Sequence, residues 1–176
     1  MAKKKSIKSL LTGNKVIVRV KSLKDSLIQK GFGEKNEKEL ILDLKEALLL
    51  IDKDKLEIED AKGNAFDFDE LLKYASAKEK NFYTKYLVYS DLRTRGFVVK
   101  TGFKFGFDFR VYPRGKKVGE AHTQWVVAAV TQDDKFTMPE VSRMVRLSGN
   151  IRAKILLAIV DSEDDINYYE IDRVTP

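Results

Sequence analysis

The chain has 176 residues, of which 43% are hydrophobic and 34% charged, and this fits one large globular domain or two small ones. Its net charge of +6 favours a polyanionic partner such as nucleic acid. The lack of cysteine and the presence of one histidine exclude disulfides, thiolate zinc sites and a histidine-rich metal centre. No apolar run reaches the roughly 20 residues of a membrane span and no export signal is evident, so we expect a cytoplasmic protein without a membrane partner.

Short strand and helix signals alternate in the N-terminal third of the chain. The alternating, β-branched residues 15–20 predict a strand, and residues 23–30 predict a short helix that ends at Gly31. Residues 40–56 predict a strand followed by an apolar helix. A hairpin turn is predicted at residues 62–64. Because these elements carry no catalytic constellation, we interpret this third as a scaffold.

A helical pattern occupies the middle of the chain, over residues 70–95. Asp67 or Asp69 can cap its start. A polar break at residues 77–81 interrupts the pattern, and we take it as the domain boundary. The predicted domains are an N-terminal α+β scaffold, residues 1–80, and a C-terminal catalytic domain, residues 81–176.

The C-terminal half predicts five strands and one further helix. Pro139 suits the first turn of a helix over residues 139–150. The strand segments read FVVKTG, DFRVYP, TQWVVAAV, AKILLAIVD and INYYEIDRV. The predicted fold class is α/β in the mixed α+β sense: a small N-terminal α+β domain, then a C-terminal mixed β-sheet domain flanked by helices.

Three residues that could perform chemistry lie near the ends of these elements. Tyr112 ends the strand DFRVYP, His122 lies in the loop-like GEAH, and Lys154 lies near the start of AKILLAIVD. RNA cleavage without a metal needs a base, an acid and a positive charge beside the phosphate, and these three side chains can supply them. Taken singly, each also fits an ordinary role: strand-end packing, a surface histidine or a solvated lysine.

Three runs in the C-terminal half carry a family resemblance. The chain resembles the archaeal tRNA-splicing (tRNA-intron) endonucleases in YLVYSDLRTRGFVVKTGFKFGFDFRVYPRG, EAH and VRLSGNIRAKILLAIVD. The resemblance implies a cytoplasmic RNA endonuclease that cuts precursor tRNA at bulge-helix-bulge splice sites. It also implies 2′,3′-cyclic phosphate and 5′-hydroxyl ends, no cofactor or metal ion, and, for this length, a homotetramer.

The resemblance also assigns roles by position, with one departure. Tyr112 matches the family's general base and His122 its general acid. The family's lysine directly follows the arginine of a V-R-K type run, but here Ala153 follows Arg152. Lys154 comes one residue later, and a one-residue step in a strand turns a side chain to the opposite face. Either a late strand start, a bulge or a register shift lets Lys154 serve as the third catalytic residue, or the chain lacks the lysine.

Two further features have roles that the resemblance implies. Arg146 stands at the position of an RNA-binding arginine that clamps a bulged base, although it also fits an exposed helix charge. An acidic turn matches a loop that inserts into a basic cleft of a neighbouring subunit and so forms an oligomer interface, although it also fits a polar hairpin turn. The residues of this turn are Asp161, Glu163, Asp164 and Asp165.

A second class of function stays open beside the endonuclease. The same fold could serve as a non-catalytic RNA-binding or structural subunit. Ala153 favours this alternative, because it puts a methyl group where the family has a lysine.

Overall fold

The computed structural model describes residues 8–102, 106–116, 119 and 121–176, which form eleven strands and five helices. The chain divides into two compact units, Met1–Tyr83 and Thr84–Pro176. Among the helices of the described residues, none combines the length and the apolar character needed to cross a membrane.

The first unit is built on a six-stranded sheet. Its elements are β1 (Lys8–Thr12), β2 (Lys15–Val18), α1 (Lys21–Gln29), β3 (Glu34–Lys35), β4 (Leu40–Asp43), α2 (Leu44–Asp52), β5 (Glu57–Glu59), β6 (Ala65–Phe66) and α3 (Phe68–Ser76). The strands lie in the order β3-β4-β2-β1-β5-β6. The sheet is mixed, because β1 and β5 are parallel while the other neighbours are antiparallel.

The apolar helix α2 lies at the centre of this unit's core. Residues 47–50 are at most 1% exposed. The Asp43 carboxylate caps the helix by accepting the Lys45 N–H at 3.0 Å, and the Glu46 carboxylate accepts the Asp43 N–H at 2.9 Å. The buried Lys45 ammonium pairs with Glu79 at 2.6 Å, so its charge is compensated.

We expect Asp43→Ala to lower the free energy of unfolding by about 1–2 kcal/mol, because α2 loses its N-terminal cap. Asp43→Asn is the matched control, since an amide oxygen can accept the same N–H, and it should cost clearly less. Urea unfolding of the three proteins gives the measurement. Equal losses in the two variants would mean that the charge of Asp43, and not its cap, stabilises this unit.

The second unit is built on a five-stranded sheet. Its elements are α4 (Phe82–Thr94, most of which lies in this unit), β7 (Val98–Thr101), β8 (Phe109–Tyr112), β9 (Trp125–Thr131), α5 (Met138–Asn150), β10 (Lys154–Val160) and β11 (Ile166–Ile171). The strands lie in the order β11-β10-β9-β8-β7. Here β9 and β10 are parallel and the other neighbours antiparallel.

Helices α4 and α5 pack on opposite faces of this sheet. Tyr89 of α4 contacts Phe109, with ring centroids 5.9 Å apart. Leu147 of α5 packs on a buried cluster that includes Val126 and Ile155. Phe109 is opposite Val127 in the register, and Val126, the next residue along β9, projects the other way. We call these two sides the α4 face and the α5 face.

The predicted fold class is confirmed, with an N-terminal α+β domain and a C-terminal mixed sheet flanked by helices. The hairpin predicted at residues 62–64 joins β5 to β6 and turns at Gly63 with φ of +85°. Strands β1 and β3 are not predicted from the sequence. β1 reads KSLLT, begins three residues after the run Lys3–Lys5 and has one clear apolar pair, so its local sequence is typical of a polar tail.

Candidate active site

The end of β8 and the starts of β9 and β10 meet at one end of the C-terminal sheet. The backbone of Gln124 connects them: its N–H donates to the Val111 carbonyl at 2.8 Å, and its carbonyl accepts the Lys154 N–H at 3.2 Å. Tyr112 directly follows Val111, and His122 lies two residues before Gln124. The fold therefore brings the strand end that carries Tyr112, the segment that carries His122 and the start of β10 to the same place.

The strand register decides which side chains share a face there. Val111 and Lys154 are both opposite Trp125, so all three project on the α4 face. Tyr112, one residue after Val111, projects on the α5 face. Ala153 lies on that face too, because it packs in the same buried cluster as Val126 and Ile155.

The third predicted catalytic residue is thus separated from the first. β10 starts at Lys154 and keeps an unbroken register with β9 as far as Val160, without a bulge or a shift within the strand. The geometry does not bring Lys154 onto the face of Tyr112, whereas position 153 lies on it. One strand, β9, lies between Tyr112 and Ala153, which puts their strands about 10 Å apart. A phosphate over β9 would lie between these two positions.

Lys154 has a different partner on the α4 face. Its ammonium donates to a Glu170 oxygen at 2.5 Å, and the Trp125 indole N–H donates to the other Glu170 oxygen at 2.9 Å. The hydrogen bond that Lys154 donates to Glu170 raises the pKa of Lys154, and the same bond lowers the pKa of Glu170. Lys154 is therefore a cation with its counterion in place.

A row of aromatic and charged side chains continues from this pair. The Trp125 ring packs edge-on against Phe97, with centroids 5.6 Å apart, and the Arg114 guanidinium lies 4.7 Å from the Phe97 ring centroid. Arg114 is the second residue after Tyr112. The row thus ends at Arg114, close in the chain to Tyr112.

We expect Lys154→Ala to change the rate of RNA cleavage by no more than about threefold, because an exposed ion pair contributes little and the side chain lies on the opposite face. Glu170→Gln is the matched variant, since it removes the counterion but keeps Lys154. Single-turnover cleavage assays would compare both with the unaltered chain. A loss of 100-fold or more in Lys154→Ala alone would instead make Lys154 a catalytic residue.

The two remaining members of the predicted site differ in their exposure. Tyr112 is 5% exposed, whereas His122 is exposed. The connection between them includes residues 117, 118 and 120, which lie outside the described residues. Within the described part of the chain, no group of histidine, aspartate and glutamate side chains is arranged to hold a metal ion. What this end of the sheet offers is a buried phenol and an exposed imidazole.

The other predicted residues lie away from this sheet end or outside its strands. Arg146 is exposed on α5. The acidic turn joins β10 to β11 and is shaped by Asp161, whose carboxylate accepts the N–H of Glu163 at 2.9 Å and of Asp165 at 3.0 Å. Asp164 has φ of +65°, and Glu163, Asp164 and Asp165 are exposed. The turn therefore presents a preformed cluster of carboxylates to solvent.

Gln124, Glu170 and Arg152 are not predicted as site residues from the sequence. Gln124 acts through its backbone, which has no residue-specific signal, and Glu170 becomes a neighbour of Lys154 only through the β10–β11 pairing. Arg152 has φ of +53°, a conformation that glycine adopts most easily. Because arginine rarely adopts a left-handed backbone, the sequence gives little sign that residue 152 has this conformation.

The two units of the chain match two models of one family. Residues 82–168 match the tRNA intron endonuclease, catalytic C-terminal domain, and residues 7–72 match the tRNA intron endonuclease, N-terminal domain. A tRNA-splicing endonuclease of Thermococcus kodakarensis is 36% identical over 165 residues, which cover 93% of this chain and 96% of the relative. The chain belongs to the tRNA intron endonuclease family. The resemblance seen in its sequence is thereby confirmed.

Other relatives in this family are equally similar over most of their length. The tRNA-splicing endonuclease of Methanococcus vannielii is 36% identical over 172 residues, or 97% of both chains. That of Methanothermobacter thermautotrophicus is 38% identical over 147 residues, covering 82% of this chain and 84% of the relative. Tyr112, His122 and Ala153 all lie within the match to the catalytic domain of the tRNA intron endonuclease family.

Proposed function

We propose that this chain is a cytoplasmic RNA endonuclease that excises introns from precursor tRNA by cutting at bulge-helix-bulge splice sites. One observation carries the proposal. The sheet end that holds Tyr112 on the α5 face is joined through Gln124 to the segment that holds His122. Membership of the tRNA intron endonuclease family supports precursor tRNA as the substrate class.

The cleavage step needs two proton transfers in this proposal. Tyr112, as its phenolate, takes the proton of the 2′-hydroxyl next to the scissile phosphate, and the 2′-oxygen attacks phosphorus. The bond from phosphorus to the 5′-oxygen breaks, and protonated His122 gives its proton to that oxygen. The products are a 2′,3′-cyclic phosphate and a 5′-hydroxyl. The step consumes no water and uses no redox partner.

A positive charge is the third requirement of this step. Negative charge gathers on the phosphate in the transition state, and an ordinary phenol becomes a phenolate only when a cation stabilises it. On the face of Tyr112, position 153 offers a methyl group and not an ammonium. The charge must therefore come from another residue that reaches this end of the sheet.

The proposal includes assembly into a homotetramer that cuts twice. Two cuts at similarly spaced sites of one RNA call for two active sites on a rigid frame, which a symmetric oligomer provides. The exposed carboxylates of Glu163, Asp164 and Asp165 suit insertion into a basic surface of a second copy. Arg146, which is exposed on α5, is our candidate for contacting a bulged base.

A second candidate is a non-catalytic RNA-binding subunit of the same fold. Two observations at the start of β10 favour it. Ala153 lies on the face of Tyr112, and Lys154 pairs with Glu170 on the other face. If no other cation serves the phosphate, Tyr112 and His122 alone give little cleavage.

Incubation of the purified chain with a labelled bulge-helix-bulge RNA in EDTA tests the proposal. We expect two cuts with cyclic-phosphate ends, at an undiminished rate, because no step uses a metal ion. Product ends are identified by resistance to phosphatase until acid opens the cyclic phosphate. Binding of the RNA without any cut, over a range of chain concentrations, would favour the second candidate.

A further inference from the structure

Position 153 lies on the face of Tyr112 without a charged group, and an exposed arginine directly precedes it. We propose that Arg152 supplies the positive charge that stabilises the transition state in this chain, in place of a lysine at position 153. The inference rests on the proposed function, because it names the residue that completes that site. In this proposal the chain is an active enzyme whose catalytic cation comes from residue 152 and not from residue 153.

The backbone at Arg152 is held in an unusual conformation. Its N–H donates to the Gly149 carbonyl at 3.2 Å, and the N–H of Ala153 donates to the Ser148 carbonyl at 3.1 Å. These two bonds close the end of α5 in the pattern where a left-handed residue is usually glycine. Arg152 has φ of +53°, so an arginine occupies a position that glycine would occupy with less strain.

The guanidinium of Arg152 is available for a ligand. The residue is exposed, and within the described ranges of the chain no hydrogen bond, ion pair or ring contact involves its side chain. Arg152 directly precedes position 153, at the sheet end that carries Tyr112, and β10 begins only at Lys154. Because its backbone is left-handed and not extended, the strand alternation that turns Lys154 to the α4 face does not apply to Arg152.

Other cations at this end have partners in the structure. Lys154 pairs with Glu170 on the α4 face. Arg110 shares the face of Tyr112, but its Nε–H donates to the Thr101 carbonyl of β7 at 3.1 Å. Strand β7 is the edge strand of the sheet on the far side of β8 from β10. Arg114 lies over the Phe97 ring. Lys116, an exposed residue of the turn after Tyr112, is a competing cation among the described residues and makes a matched control.

Single-turnover cleavage of the bulge-helix-bulge RNA in EDTA tests the role of the charge. We expect Arg152→Ala to lower the rate by about 10²- to 10³-fold, as removal of one transition-state charge donor does elsewhere. Arg152→Lys should keep most of the rate, and Lys116→Ala should cleave normally. A normal rate in Arg152→Ala, or a large loss in Lys116→Ala instead, would overturn the assignment while leaving the proposed function intact.

Stability and cleavage rate, measured on the same glycine variant, separate a catalytic role of Arg152 from a purely structural one. Arg152→Gly should raise Tm by about 2 to 4 °C, because glycine relieves the left-handed conformation, and should still lose the cleavage rate. A residue that serves only to end α5 would give a stable and fully active glycine variant. That result would contradict a catalytic role for Arg152.

A double variant separates this inference from the proposed function. Arg152→Ala combined with Ala153→Lys should recover the cleavage rate, because a lysine at 153 lies on the face of Tyr112. Recovery supports Arg152 as the substitute for that lysine. If the unaltered chain never cuts, both proposals fail together. If it cuts and the Arg152 variants cut equally well, the inference alone fails.

Discussion

Tyr112→Phe is expected to lower the single-turnover rate of RNA cleavage by about 10²- to 10⁴-fold, because it removes the group that we propose as acceptor of the 2′-hydroxyl proton. The substitution deletes one oxygen and keeps the ring of a residue that is 5% exposed, so the sheet end should keep its packing. His122→Ala should cause a loss of similar size by removing the proposed proton donor to the 5′-oxygen. The rates are measured with end-labelled bulge-helix-bulge RNA under enzyme excess.

Two controls make this prediction specific to chemistry. RNA affinity, measured by gel shift for Tyr112→Phe and His122→Ala, should stay within a few-fold of the unaltered chain. Tyr169→Phe serves as the matched tyrosine variant, because Tyr169 is 53% exposed on β11 and has no role in the proposed step. Full cleavage by Tyr112→Phe would remove Tyr112 as the base.

Ala153→Lys is the second change with a large expected effect. It should raise the cleavage rate by about 10- to 100-fold, because it adds a charge on the face of Tyr112 where the phosphate is expected to lie. We expect the gain to stay below the full value of one charge donor, since in our proposal Arg152 already supplies part of the positive charge. The lysine stem can cover the apolar cluster of Val126 and Ile155 while its ammonium reaches solvent.

Ala153→Met is the control for this variant, because methionine has a similar length without the charge. It should leave the cleavage rate unchanged or lower it slightly. The measurement is again single-turnover cleavage, together with Tm for each variant. An Ala153→Lys chain that is folded and binds RNA, yet cleaves no faster, would show that position 153 does not face the phosphate.

Periodicity and capping residues predicted most of the fold. Asp67 and the apolar residues of α2 gave clear helix signals, and alternation marked the strands of the C-terminal sheet. The pairing of β1 with β5 could not be predicted, because parallel neighbours distant in sequence leave no local pattern. The same holds for the parallel pair β9 and β10, which fixes where Lys154 projects.

The residues of the candidate site could be predicted from the motif, but the face of the sheet on which each side chain lies could not. Tyr112 and His122 were found through the family resemblance, and Ala153 was visible as a departure from it. Whether Lys154 could take over depended on a register and on a partner, Glu170, that lies 16 residues further along the chain. Neither follows from the local sequence, since both arise when β10 pairs with its two neighbours.

The start of β10 also bears on how members of such a family are sorted from genome sequences. Moving a lysine by one residue leaves net charge, hydropathy and the general appearance of the motif almost unchanged, yet it exchanges one face of the sheet for the other. A search that asks only for a lysine after the helix would accept Lys154 and count this chain as complete. A search that counts positions from the first buried residue of the strand, Ile155, would place the lysine one step too late. Such sequences are therefore better sorted by whether the lysine falls on the correct face of the strand than by whether a lysine is present.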